Sequence, residues 1–179
     1  MIIISRFCRI CLLENVNWTW GLSLIALTTA IHATGVVMMA VVEFWIRVRL
    51  ETRNLRLRQM ISIVIGIVGA VGLLLAVLHG IEAAIWAAAY IWLGALDSPK
   101  DAILYSVDSM TTRGASGLML QQHWRMMGAL EAAAGMLLFG ISTAYIFSVM
   151  QAYWPMLLSR AYPQLSELPR VSPDCNTRR

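Results

Sequence analysis

The sequence predicts an all-α membrane protein. Three transmembrane helices are expected per chain, with a short helix and an irregular, glycine-containing loop between the last two. Three observations carry this expectation. Of the 179 residues, 59% are hydrophobic and 13% charged, and the mean hydropathy is +0.67, whereas a soluble domain carries about 25% charged residues. Runs without formal charge recur at 22–42, 60–78 and 132–150. The polar stretch YSVDSMTTRGASG, 105–117, is set between two apolar ones.

The N-terminal arm, 1–20, carries Arg6 and Arg9 and reads as an interfacial helix. Its apolar start, MIIIS, is too short for the core of a signal peptide, and no small-residue cleavage site follows. Cys8 and Cys11 make one C-x-x-C, and Cys175 lies far away in the tail. A single pair is weak evidence for a metal or redox site, so the simpler reading is two small apolar residues near a membrane surface.

The first transmembrane helix is expected over 21–46. About 20 apolar residues at 1.5 Å each cross the roughly 30 Å hydrocarbon core. His32, alone within this span, reads as an interhelical residue with a satisfied hydrogen bond rather than a ligand. The linker 47–58 holds five arginines and one glutamate. Short Arg-rich loops remain cytoplasmic, and this one is suited to anionic lipid headgroups as a helical extension. Counting from there puts 97–121 on the outer side and the tail, with Arg160, Arg170, Arg178 and Arg179, inside.

Residues 59–154 read as one unit. Its outer helix carries Gly66, Gly69 and Gly72 at intervals of three, a thin face suited to close packing. Apolar character continues to residue 96, and a single helix over 60–96 would be about 55 Å long. Such a helix either projects beyond the membrane or breaks near Gly80. Trp86, Tyr90 and Trp92 are expected to form an aromatic belt at the outer interface. The turn DSPK, 97–100, offers Asp97 or Ser98 as a helix cap with Pro99 at the first helical position. A short helix over 101–111, a loop over 112–121 and an inner helix over 122–154 follow. Gly135 and Gly140 on the inner helix are read as packing positions. Four prolines from Pro155 onward mark 155–179 as a disordered tail.

Non-helical backbone at membrane depth is tolerated only where it is buried or lines a watery cavity, so this order of elements asks for a pore or a cleft. Residues 106–117, S-V-D-S-M-T-T-R-G-A-S-G, resemble the pore helix and filter of potassium channels, close to S-V-E-T-x-T-T-V-G-Y-G-D. Ser106, Val107, Thr111, Thr112 and Gly114 match outright, Asp108 keeps the acidic charge, and Ser109 replaces a threonine. The helix after the loop is similar to the inner helix of bacterial two-helix potassium channels, so the resemblance spans about 60–154.

The resemblance implies a homotetramer around a central pore in a plasma membrane, the inner membrane of a bacterium. It assigns Thr111, Thr112, Arg113, Gly114, Ala115, Ser116 and Gly117 to the pore loop, with a monovalent ion in the pore and no other cofactor. Departures fall where selectivity is made. Ala115 stands at the aromatic position, Ser116 at the second glycine and Gly117 at the aspartate, which leaves the permeant ion open. In the register of the family's valine, Arg113 points into the wall, where Asp108 is its natural partner for bracing the filter. An arginine ring that gates or favours anions is the alternative, as is a one-residue shift of register.

Three further ionisable groups stand in apolar surroundings. His79 and Glu82, three apart, share a helix face. The simplest role is a hydrogen-bonded pair near the outer interface, packing the second span against the pore helix; a proton or metal pathway is the alternative. Glu131 near the outer mouth can pair with Arg125 or the pore helix, or form a ring of carboxylates that concentrates cations. No dedicated metal site is expected, no catalytic motif is present, and no basic-aromatic surface suggests nucleic acid. The competing functional class is a channel-derived scaffold or sensor that does not conduct.

Overall fold

The computed structural model describes residues 2–53, 55–114 and 116–162, with side chains from Asn17 onward. Ala115, Cys175, the tail from 163 and the side chains of Cys8 and Cys11 lie outside that description. Helix α1 runs Ile2–Glu51, α2 Leu57–Trp92, α3 Pro99–Met110 and α4 Arg125–Ala161, with a single 3-10 turn, Gln122–Trp124, leading into α4. The described residues are all helix, turn and loop. Three segments, Asn17–Glu51, Leu57–Trp92 and Gln122–Ala161, are long and apolar enough to cross a membrane.

The helix boundaries depart from the sequence expectation at the arm, match the helical extension expected of the linker, and take one of the two alternatives left open at Gly80. The arm and first span are one continuous helix. The Arg-rich linker is mostly helix end, because α1 enters it from one side and α2 from the other. Helix α2 does not break at Gly80. An isolated glycine costs a helix only about 1 kcal/mol, and 36 residues make a rod of about 54 Å.

The stop of α2 comes at Gly94, whose φ of +67° is a left-handed conformation that glycine adopts without steric cost. There the Ala95 N–H donates to the Tyr90 carbonyl at 2.8 Å and the Gly94 N–H to that of Ile91 at 3.0 Å, which is the Schellman closure. Ala95 and Tyr90 pack in the same cluster, as that motif favours.

Trp86 and Tyr90 are fully buried, in a core with Leu24, Trp124, Met127 and Ala134. They therefore do not form an interfacial belt. The reason is the run of alanines around them: Ala83 and Ala87 are also buried and keep α2 thin, so neighbouring helices approach and the large rings fill the space. Trp92 remains exposed and meets Trp20 edge-on at 5.1 Å.

A second cluster, Leu50, Met60, Val149 and Tyr153, closes the end of the bundle near the Arg-rich turn. Helix α4 passes through Pro155 to Ala161, beyond the expected end at 154. Met156 and Leu157 pack on this cluster, and the Arg160 guanidinium donates to the carbonyls of Leu55 and Arg53. Those contacts outweigh the hydrogen bond that proline forgoes. Gly66, Gly69, Gly72 and Gly140 face open space, with nothing in the chain within 4 Å of a Cβ built on them.

Candidate functional site

Helix α3 begins at Ser98, whose hydroxyl accepts from the Asp101 N–H, with Pro99 at the first helical position. Two glycines of α4 let it lie close. A Cβ at Gly128 would strike the Tyr105 hydroxyl, and one at Gly135 would strike the backbone of Met110. Ser109 Oγ adds a hydrogen bond to the Gly128 carbonyl at 3.0 Å.

Glu131 completes this junction. Its carboxylate is fully buried and accepts from the Tyr90 hydroxyl at 2.7 Å, while Ser106 Oγ touches its other oxygen and donates to the Ala83 carbonyl at 2.8 Å. One acidic side chain on α4 thus meets a tyrosine on α2 and a serine on α3. Its partners are these hydroxyls rather than Arg125.

The loop after α3 changes hand repeatedly. Thr112, Gly114 and Gly117 have φ of +53°, +60° and +70°. Such a conformation is natural for glycine, but at Thr112 it stores strain on the order of 1–3 kcal/mol. Asp108, nearly buried, spans the turn: Oδ2 accepts from the Ser116 N–H at 3.0 Å, and the backbone carbonyl accepts from the Arg113 N–H at 3.0 Å. Arg113 Nε stands 3.7 Å from Asp108 Oδ1, and its side chain is 72% exposed. The structure brings the two residues together through this long side-chain contact and the backbone hydrogen bond, with the guanidinium exposed in the single chain. Thr111, Thr112, Arg113, Gly114 and Gly117 are exposed in the single chain, and Ser116 is half-buried.

A second polar group lies deeper among the helices. His32 on α1 and Glu82 on α2 are both fully buried, and His32 Nδ1 is 2.8 Å from Glu82 Oε1. His79 Nδ1 is 3.2 Å from Glu82 Oε2. Ser142 on α4 stands between the opposite ring nitrogens, 3.1 Å from His32 Nε2 and 3.1 Å from His79 Nε2. The pair His79–Glu82 therefore ties α2 to α1 and α4, not to α3. His79 is the partly open member, 27% exposed. It lines a cavity of about 590 Å³ together with Ala83, Met110, Thr111, Thr112 and Gly135. Sequence reasoning singled out His79 and Glu82 but did not join them to His32 or Ser142.

No protein-family model, curated protein or solved structure matches this chain. Among the described residues, fold and site define a helical protein with three helices of membrane-spanning length and two buried polar junctions, one against α3 and one among α1, α2 and α4.

Proposed function

We propose that the chain is the subunit of a pore-loop ion channel of potassium-channel type, assembled as a homotetramer in the plasma membrane. The observation that carries this reading is α3 and its loop, laid between two helices that are each long enough to cross a membrane. Backbone of that kind must be covered or face water at membrane depth. Four copies about an axis, with α4 innermost, provide both conditions. The left-handed residues on either side of Arg113 support the reading further, because a chain that changes hand at alternate positions turns successive carbonyls toward one side. Inward carbonyls are how such pores replace the hydration shell of an ion.

In this assembly the bilayer surrounds α1 and α2, anionic lipids meet 47–58, and a monovalent cation occupies the loop. Asp108 holds the loop in shape, and Arg113 sets the electrostatic field beside the pore.

The test is native mass measurement of the detergent-purified chain, followed by potassium and chloride flux from proteoliposomes. A tetramer that passes potassium is expected, with Arg113→Leu raising cation flux if the guanidinium faces the axis. A monodisperse monomer or dimer refutes the assembly. A tetramer that passes no ion, as wild type or as Arg113→Leu, establishes the non-conducting scaffold instead.

A further inference from the structure

We propose that His32, His79 and Glu82 form a binding site for one divalent transition-metal ion of zinc type per chain, with Ser142 holding the two imidazoles in place. The site is separate from the loop and does not depend on the channel reading. Ligand atoms of the three residues lie within 4.8 Å of one another. They come from two different helices, α1 and α2, and α4 closes the group with Ser142. Two imidazoles and a carboxylate with a fourth position left over is a donor set that suits zinc, copper, nickel or iron, and not magnesium or calcium.

The buried carboxylate points to an occupant. Glu82 Oε2 has no aligned hydrogen bond, although His79 Nδ1 is 3.2 Å away. A fully buried carboxylate oxygen left in that state is costly. In a tetrahedral site with bonds of about 2.0–2.1 Å, neighbouring ligand atoms stand about 3.3 Å apart. The carboxylate–imidazole separations here are 2.8 Å to Oε1 and 3.2 Å to Oε2, and one donor atom from each residue lies within 4.8 Å of the others, so side-chain adjustment of about an ångström gathers the three donors on an ion.

Ser142 suits the two rings once an ion is bound. When a metal holds both Nδ1 atoms, each Nε2 carries a proton. Both then donate to Ser142 Oγ, whose two lone pairs accept them. A second shell that fixes the ligating tautomer in this way is the usual companion of histidine ligands. His79, open to the cavity beneath the α3 terminus, supplies the entry path.

The test uses the tag-free full chain in detergent with Cys8, Cys11 and Cys175 changed to serine, so that thiols do not compete. After chelator treatment, zinc alone is added, the protein is dialysed against metal-free buffer, and bound zinc is counted; cobalt(II) is used in parallel for its four-coordinate visible spectrum. About one zinc per chain is expected. Glu82→Gln and His79→Gln should lose it, Ser142→Ala should bind about 10–100-fold more weakly, and His123→Gln should be unchanged. Helical circular dichroism is compared for each variant. If Glu82→Gln does not fold, His79→Gln decides, because that ring is partly exposed. Absence of stoichiometric zinc in the folded parent, or zinc that survives His79→Gln, overturns the proposal and leaves a hydrogen-bonded helix clip.

Discussion

Gly135→Ala is the perturbation that most directly tests how α3 is seated. Gly135 is buried, and a Cβ at that position would lie 2.8 Å from Met110 Cα and 2.9 Å from its carbonyl carbon, and closer still to its carbonyl oxygen. All three atoms are backbone, so no rotamer change relieves the clash. Either α4 moves out or the C-terminal end of α3 lifts by most of an ångström. Overpacking of this kind costs about 1–3 kcal/mol. Lifting α3 also strains the 3.0 Å bond from Ser109 to the Gly128 carbonyl, worth about 0.5–1.5 kcal/mol net.

The control is Gly140→Ala on the same helix, where a Cβ meets nothing in the chain within 4 Å. Both substitutions share the gain of about 0.5–1 kcal/mol from replacing glycine within a helix, so that term cancels in the comparison. Gly135→Ala should therefore be less stable than Gly140→Ala by about 1.5–4.5 kcal/mol, the sum of the two penalties. Unfolding in mixed micelles at increasing denaturing detergent, followed by circular dichroism, measures the difference. Equal stability of the two variants would refute the close seating of α3 on α4.

Three further outcomes follow from the same geometry and use the same unfolding assay. Asp108→Ala removes the acceptor of the Ser116 N–H and should cost about 1–3 kcal/mol, whereas Arg113→Leu should change chain stability by less than about 1 kcal/mol, because the guanidinium is 72% exposed at 3.7 Å; the reverse order counts against the loop geometry. Tyr90→Phe deletes the donor to a fully buried carboxylate and should cost about 1.5–3 kcal/mol, with no loss pointing to a different partner for Glu131. Gly94→Ala forces a Cβ into a left-handed position at φ +67° where nothing else crowds it, so a loss of about 1 kcal/mol from backbone strain alone is expected, and a neutral result would show that α2 ends differently.

The long elements were legible because charge-free runs near 20 residues admit few other readings, and because Ser98 followed by Pro99 is a chemically specific helix start. The length of α2 was not, since a glycine penalty near 1 kcal/mol cannot decide between a bent and a straight helix in advance. Trp86 and Tyr90 were misplaced because an aromatic in the outer third of a span looks the same whether lipid or protein covers it. The neighbouring alanines carried the answer, as small residues invite another helix to approach. Helix α4 outran Pro155 because Met156, Leu157 and Arg160 found tertiary partners that local propensity does not contain. The nearness of His32 to His79 had a usable signal: antiparallel helices joined by a tight turn bring residues about equally far from the turn to similar depth, and His32 lies 22 residues before Asn54 while His79 lies 25 after it. The role of Asp108 toward the Ser116 N–H had none, because it depends on the loop backbone.

The two polar junctions meet on consecutive residues of α2. Glu82 turns toward His32 and His79, and the next carbonyl, of Ala83, accepts from Ser106 on α3. His79, one turn earlier, lines the same cavity as Met110, Thr111 and Thr112 at the end of α3. Helix α1 thus reaches the α3 region in two ways, through this segment of α2 and directly where Asn17 Nδ2 donates to the His123 carbonyl in the 3-10 turn that ends the loop. A shift of α2 by even an ångström would disturb both the 2.8 Å bond to His32 and the 2.8 Å bond from Ser106, and hydrogen bonds weaken steeply away from their preferred geometry. Buried polar groups of this kind have few intermediate arrangements, because each donor left unpaired in an apolar interior carries its full desolvation penalty. Whatever fixes the His32–Glu82–His79 group thus also fixes the seat of α3. In the tetrameric reading, that makes the position of α1 a determinant of the loop.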